Sequence, residues 1–208
     1  MPDRPHLATA PARGRYDRAQ SRQTRQAEQK ARLVGWIGTT YLEHGPALTV
    51  QDVVRAAGVG RNTFYEYFDG LEHALDYAAQ THAKALRERI MSELENARTP
   101  IAKLRELSRA WFDEVERDPA QTALLLRATA GTGARTAGSR SAAAAVFASV
   151  LADLLQQARS HDPASHDLTL IDYVAFAAEG GVRSLLGQGA PRPTLQEGLS
   201  TLLTRSFR

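Results

Sequence analysis

Residues 49–68 read TVQDVVRAAG VGRNTFYEYF, and this stretch decides the fold. Thr49 stands where a helix N-cap accepts from the backbone, with Asp52 three residues on, near the positive helix end. Val50, Val53, Val54 and Ala57 then recur at helical steps and give the segment an apolar stripe. Gly58 stops it. The three-residue turn Gly58-Val59-Gly60 launches a second helix. Two short helices joined in this way form a helix-turn-helix, the unit that places its second helix in a DNA major groove.

At 100° per residue, Phe64 and Phe68 share one face of the second helix and are large enough to be buried against the first. Asn62 and Glu66 lie opposite, flanked by Arg61 and Tyr65 on one side and Thr63 and Tyr67 on the other. That outer face suits base reading: Arg61 toward guanine, Asn62 toward adenine, Glu66 accepting from cytosine N4. Thr63, Tyr65 and Tyr67 suit phosphate oxygens, with Thr49 and Gln51 of the preceding helix in reach of the DNA backbone.

Working outward, Ala27, Ala31, Val34, Ile37 and Tyr41 recur at three or four residues from Gln26, with Leu33, Trp36 and Leu42 widening the stripe, until Gly45-Pro46 ends that helix. Downstream, Thr99-Pro100, Asp118-Pro119 and Asp162-Pro163 each set a capping oxygen before a proline suited to a first turn, and Thr194 with Glu197 has capping-box spacing. These stops predict helices near 71–96, 100–117, 119–131, 139–160, 164–187 and 194–206, with Gly131 to Ser139 as a connector. No strand pattern competes.

The 208 residues, 43% of them hydrophobic, suffice for a small domain and a larger one with a real core. The absence of cysteine excludes disulfides, thiolate metal sites and thiol nucleophiles. The longest apolar candidate, Ala142 to Leu155, is broken by Ser149 and Asp153 and is too short for a membrane span, and the N-terminus has no apolar signal region; a soluble cytoplasmic protein is expected. The net charge of +3 is uneven. Residues 1–68 hold ten Lys/Arg against six Asp/Glu, and eight of those ten fall before position 33. With prolines at 2, 5 and 11 and few large apolar groups, residues 1–25 read as a basic disordered arm suited to a polyanion.

The segments Leu48 to Val54, Ala57-Gly58-Val59 and Arg61 to Phe68, followed by Glu72, Ala74 and Leu75, resemble the DNA-binding domain of the tetracycline-repressor (TetR) family of bacterial regulators. The resemblance spans roughly residues 27–75. It implies an all-α chain: an N-terminal three-helix DNA-binding domain at 26–72, then a larger helical effector-binding and dimerisation domain at 73–208. It also implies a homodimeric transcription factor, often a repressor released from its operator DNA by a small molecule. Gly60 stands where the family often has a capping side chain, at a cost of a few tenths of a kcal/mol. Leu71 stands where the family commonly has a phosphate-touching lysine, and the arginine-rich arm offers cations in its place.

Apolar residues from Leu168 to Leu186 and the series Leu195, Leu199, Leu202 and Leu203 give helices 164–187 and 194–206 long apolar faces. By resemblance these pair with a second copy; by spacing alone they serve equally as intramolecular core. Trp111, Phe112, Phe147, Tyr173 and Phe176 are candidate walls for an effector of unspecified chemistry. The pairs His161-Asp162 and His166-Asp167 read as a helix-start loop, so no metal or cofactor is expected. Zincin, P-loop and nucleophile-elbow motifs are absent, and no enzyme is expected. A ligand-binding protein without specific DNA recognition and a nonspecific DNA-coating protein are the alternative readings.

Overall fold

The computed structural model describes residues 18–127, 141–158 and 165–206, and among them it is helical throughout, without a strand. The elements are α1 (Arg18–His44), a 3-10 turn (Gly45–Ala47), α2 (Val50–Ala57), α3 (Arg61–Tyr65), α4 (Leu71–Leu94), α5 (Pro100–Arg117), α6 (Pro119–Leu125), α7 (Ala142–Ala158), α8 (Ser165–Leu186) and α9 (Arg192–Ser206). The all-α class with a small N-terminal unit and a larger helical remainder is as expected.

α1 packs on α2, α4 and α6, while α4 continues into the bundle to meet α5 and α7. One helix thus joins the small N-terminal unit to the rest of the chain. α7 packs on α8, and α9 closes against α5 and α8. Leu33, Ile37, Val53, Phe64 and Phe68 form the core of the small unit, and it runs without a break through Ala78, Ile90, Leu107, Phe112, Phe147 and Val182. α8 comes close enough to α5 that a Cβ on Gly181 would lie 3.1 Å from Phe112 Cζ, so the glycine makes room for the ring.

The local stops hold where a cap decides them. Thr99 Oγ1 accepts from Ala102 N at 3.1 Å and Asp118 Oδ1 from Gln121 N at 3.0 Å, each before a proline in the first turn. Three expectations change. First, α1 begins at Arg18, inside the stretch read as an arm, since a polar segment of Arg, Gln and Ala extends a helix without any apolar stripe. Second, Trp36 and Leu42, counted into the α1 stripe, are 44% and 50% exposed, and Ala27 and Ala31 are exposed too; the buried face is Leu33, Val34, Ile37 and Thr40. Third, Thr194 does not cap α9. Pro191 O accepts from Thr194 N and Leu195 N, so the helix starts two residues earlier and Thr194 lies within its first turn.

Residues 1–17, the connector Gly131 to Ser139, and His161, Asp162 and Pro163 lie outside the described residues, and the side chains at 166 and 167 are not among those described. Among the described residues no cluster of three His, Asp or Glu is placed to hold a metal ion, and no helix is long and apolar enough to cross a membrane.

Candidate nucleic-acid interface

α2 starts in a reciprocal cap. Thr49 Oγ1 accepts from Asp52 N at 3.3 Å, and Asp52 Oδ2 accepts from Thr49 N at 3.0 Å and from the Thr49 hydroxyl at 2.5 Å. The Thr49 hydroxyl, opposed by burial and aided by the Thr49 backbone N–H, His44 and Arg55, holds the Asp52 carboxyl below its ordinary range. The helix ends on Gly58 at φ 63°, a left-handed conformation that costs glycine nothing. Gly58 N donates to Arg55 O and Val59 N to Val54 O, so the last carbonyls of α2 are satisfied as the chain turns. Gly60 then caps α3 with its backbone alone: Phe64 N donates to Gly60 O at 3.2 Å.

Phe64 and Phe68 are fully buried, their rings 5.4 Å apart, and Phe68 meets Tyr77 of α4 at 5.6 Å. Lys30 Nζ of α1 lies 3.8 Å over the Tyr77 ring. α3, only five residues long, packs on α2, and Phe68 just beyond its end ties the segment to α1 and α4. Helical hydrogen bonds run past its end: Glu66 N donates to Asn62 O and Phe68 N to Phe64 O. Arg61, Asn62, Tyr65 and Glu66 consequently share one solvent-facing side.

Within that face Arg61 donates to the Tyr65 hydroxyl at 3.4 Å and lies over its ring. Thr63 and Tyr67 are half-buried, and the Tyr67 hydroxyl donates to Gln29 Oε1 of α1 at 3.2 Å. Thr49 and Gln51 are exposed at the start of α2. Two of the eight residues read as DNA contacts, Thr49 and Tyr67, therefore spend their hydroxyl hydrogens inside the protein. The support from Gln29 and Lys30 was not foreseen; their partners lie 38 and 47 residues away, beyond any local pattern. Arg55, also not singled out, presents a side chain 73% exposed on α2 beside Asp52.

The five candidate effector residues do not come together. Trp111 and Phe147 stack edge to face at 5.0 Å, Trp111 Nε1 donates to Ala178 O, and Phe112 is closed over by α8, so these three are core. Tyr173, 70% exposed, and Phe176 lie on the outer side of α8. Cavities open between α4 and α7 (about 500 Å³), between α5 and α7 (about 360 Å³) and between α5 and α9 (about 520 Å³), and none of the five lines them.

Residues 41–73 match the family model described as bacterial regulatory proteins, tetR family. No curated protein matches the chain in sequence. Among solved structures, the fatty acid degradation regulator FadR from Bacillus halodurans is similar over 86% of this chain and 99% of its own, with a TM-score of 0.68 at 18% identity. A protein described as a TetR-family transcriptional regulator, from Syntrophomonas wolfei, is similar over 86% and 95%, with a TM-score of 0.67 at 12% identity. This chain accordingly has the fold of the TetR-family transcriptional regulators and carries that family's N-terminal domain at residues 41–73.

Proposed function

We propose that the chain is a one-component transcriptional regulator that reads a palindromic operator as a homodimer, acts in the cytoplasm as a repressor, and is released by a small molecule rather than by any catalytic step of its own. The observation that carries this reading is the contrast between the two sides of α3: two buried phenylalanines hold it, and Arg61, Asn62 and Glu66 are left for bases. Tyr65 accepts from Arg61 and keeps its own hydrogen for a phosphate; Thr63 and Gln51 supply further donors. Thr49 and Tyr67 act mainly as supports, approaching the DNA backbone with hydroxyls already engaged.

Dimerisation is supported by a second apolar face on α8. Ile171, Val174, Ala175, Ala178 and Val182 are buried within the chain, while Tyr173, Phe176 and Ala177 are exposed beside Gly180, with Leu202 exposed on α9. An effector that contacts Trp111, Phe112 or Phe147 has to part their packing, whereas Tyr173 and Phe176 suit contact with the second copy.

The test is the affinity of Arg61→Ala and Asn62→Ala for the preferred duplex and for random duplex. Each substitution should weaken the preferred site by about 1–3 kcal/mol and barely change nonspecific binding. Equal loss on both DNAs would favour the nonspecific coating alternative.

A further inference from the structure

The cavities differ in how their charges are satisfied. In the one between α5 and α9, Arg109 and Arg192 already pair with Asp113, and Arg192 also with Glu116. In the one between α4 and α7, Arg87 pairs with Asp153 and Lys84 lies 4.0 Å from Glu88. Their cations have counter-charges within the protein.

The cavity of about 360 Å³ between the start of α5 and the end of α7 is different. Its charged lining residues are Arg98 and Lys103, and no carboxylate lines it. Among the described residues neither cation meets an acid; half-buried Lys103 donates only to the neutral Gln157 Oε1, at 3.3 Å. Both cations stand at the solvent-facing rim, Arg98 exposed and the Lys103 ammonium at an exposed contact, so an anion that bridges them gains charge-assisted hydrogen bonds without displacing a protein carboxylate. The positive end of α5, capped by Thr99, adds to the same field. Below the cations the walls are apolar: Leu104, Leu154 and Leu155 are buried, and Ile101 at the mouth is 45% exposed. The volume lies within the range of small-ligand sites.

We infer that this cavity binds a small amphiphilic anion, its carboxylate held between Arg98 and Lys103 and its hydrocarbon chain against Ile101, Leu104, Leu154 and Leu155. Neutral molecules of the same shape leave the cations unsatisfied, and amines add repulsion. The assignment rests on the regulator reading only in making that ligand its effector.

Titration calorimetry on the full chain tests it with three probes of equal chain length: octanoate, octan-1-ol and octylamine, each as monomer. Octanoate should saturate at one per chain, bind about tenfold or more tighter than the alcohol, and lose that advantage in the Arg98→Gln/Lys103→Gln double variant. Ile101→Asp, a change at an exposed position, should also abolish octanoate binding by placing a carboxylate at the mouth. Absence of octanoate binding, equal binding of alcohol and carboxylate, or full retention in the double variant overturns the site. Because no DNA enters this assay, octanoate binding by a chain that selects no DNA would leave the site standing and remove the regulator reading instead.

Discussion

Arg127 Nη1 donates to Asp76 Oδ1 across 2.7 Å, tying the end of α6 to the second turn of α4. Glu72, one turn earlier on α4, accepts from the same guanidinium. The Arg127 side chain is 9% exposed, whereas Asp76 and Glu72 are 37% and 66% exposed. α4 and α6 also pack on one another, so the clamp fixes the near end of α4 against the bundle. Removing a buried partner costs more than an exposed pair contributes, but the two carboxylates remain hydrated. Arg127→Met should therefore cost about 1–3 kcal/mol by denaturant unfolding, and Asp76→Asn should cost more than Glu72→Gln. The reverse order would mean that the guanidinium is held mainly by the outer carboxylate.

His82 of α4 provides a pH test. Burial pushes its pKa below the ordinary imidazole range, opposed by a hydrogen bond to the Val34 backbone and by Asp118, and reinforced by Arg89. Its Nε2 has no partner among the described residues. The unfolded chain thus binds a proton that the folded chain resists, so stability is full above about pH 6.5 and falls as the pH drops toward the depressed folded value. Melting temperature measured from about pH 7.5 to 5 should fall less in His82→Gln than in the unaltered protein. Identical profiles would show that His82 does not titrate differently in the two states.

The outer face of α8 gives a third. Tyr173 is the most exposed of the large apolar side chains, with Phe176 beside it. An aromatic anchor at the centre of a dimer interface commonly carries about 2 kcal/mol or more. Tyr173→Arg should weaken self-association about thirtyfold or more by sedimentation, with helicity and melting temperature of the monomer unchanged. A dimer that survives unaltered would move the interface elsewhere.

What the sequence disclosed, and what it withheld, follows from range. Thr49 with Asp52, Gly58, Thr99-Pro100 and Asp118-Pro119 act within one helical turn, so residue type and spacing suffice to read them. The two faces of α3 were legible for the same reason: Phe64 and Phe68 point one way at 100° per residue, and Arg61, Asn62 and Glu66 the other. The α9 start was not, because Pro191 and Pro193 compete with Thr194 for the same role and only the backbone trace chooses between them. Trp36 and Leu42 were misjudged because size alone does not say which apolar residues of a broad stripe meet another helix. Arg127 to Asp76 spans 51 residues, and Arg98 comes to lie with Leu154 only through the packing of α7 near α5. Contacts of that kind belong to tertiary structure.

The central claim is that the exposed face of α3 reads DNA sequence as part of a dimer. The most direct measurement is selection of random duplex DNA on the purified protein at physiological salt, with sequencing of what remains bound. An inverted repeat with half-sites about one helical turn apart should be enriched. If no motif is enriched and binding simply disappears as salt rises, the chain binds phosphate without reading bases, and the account is contradicted.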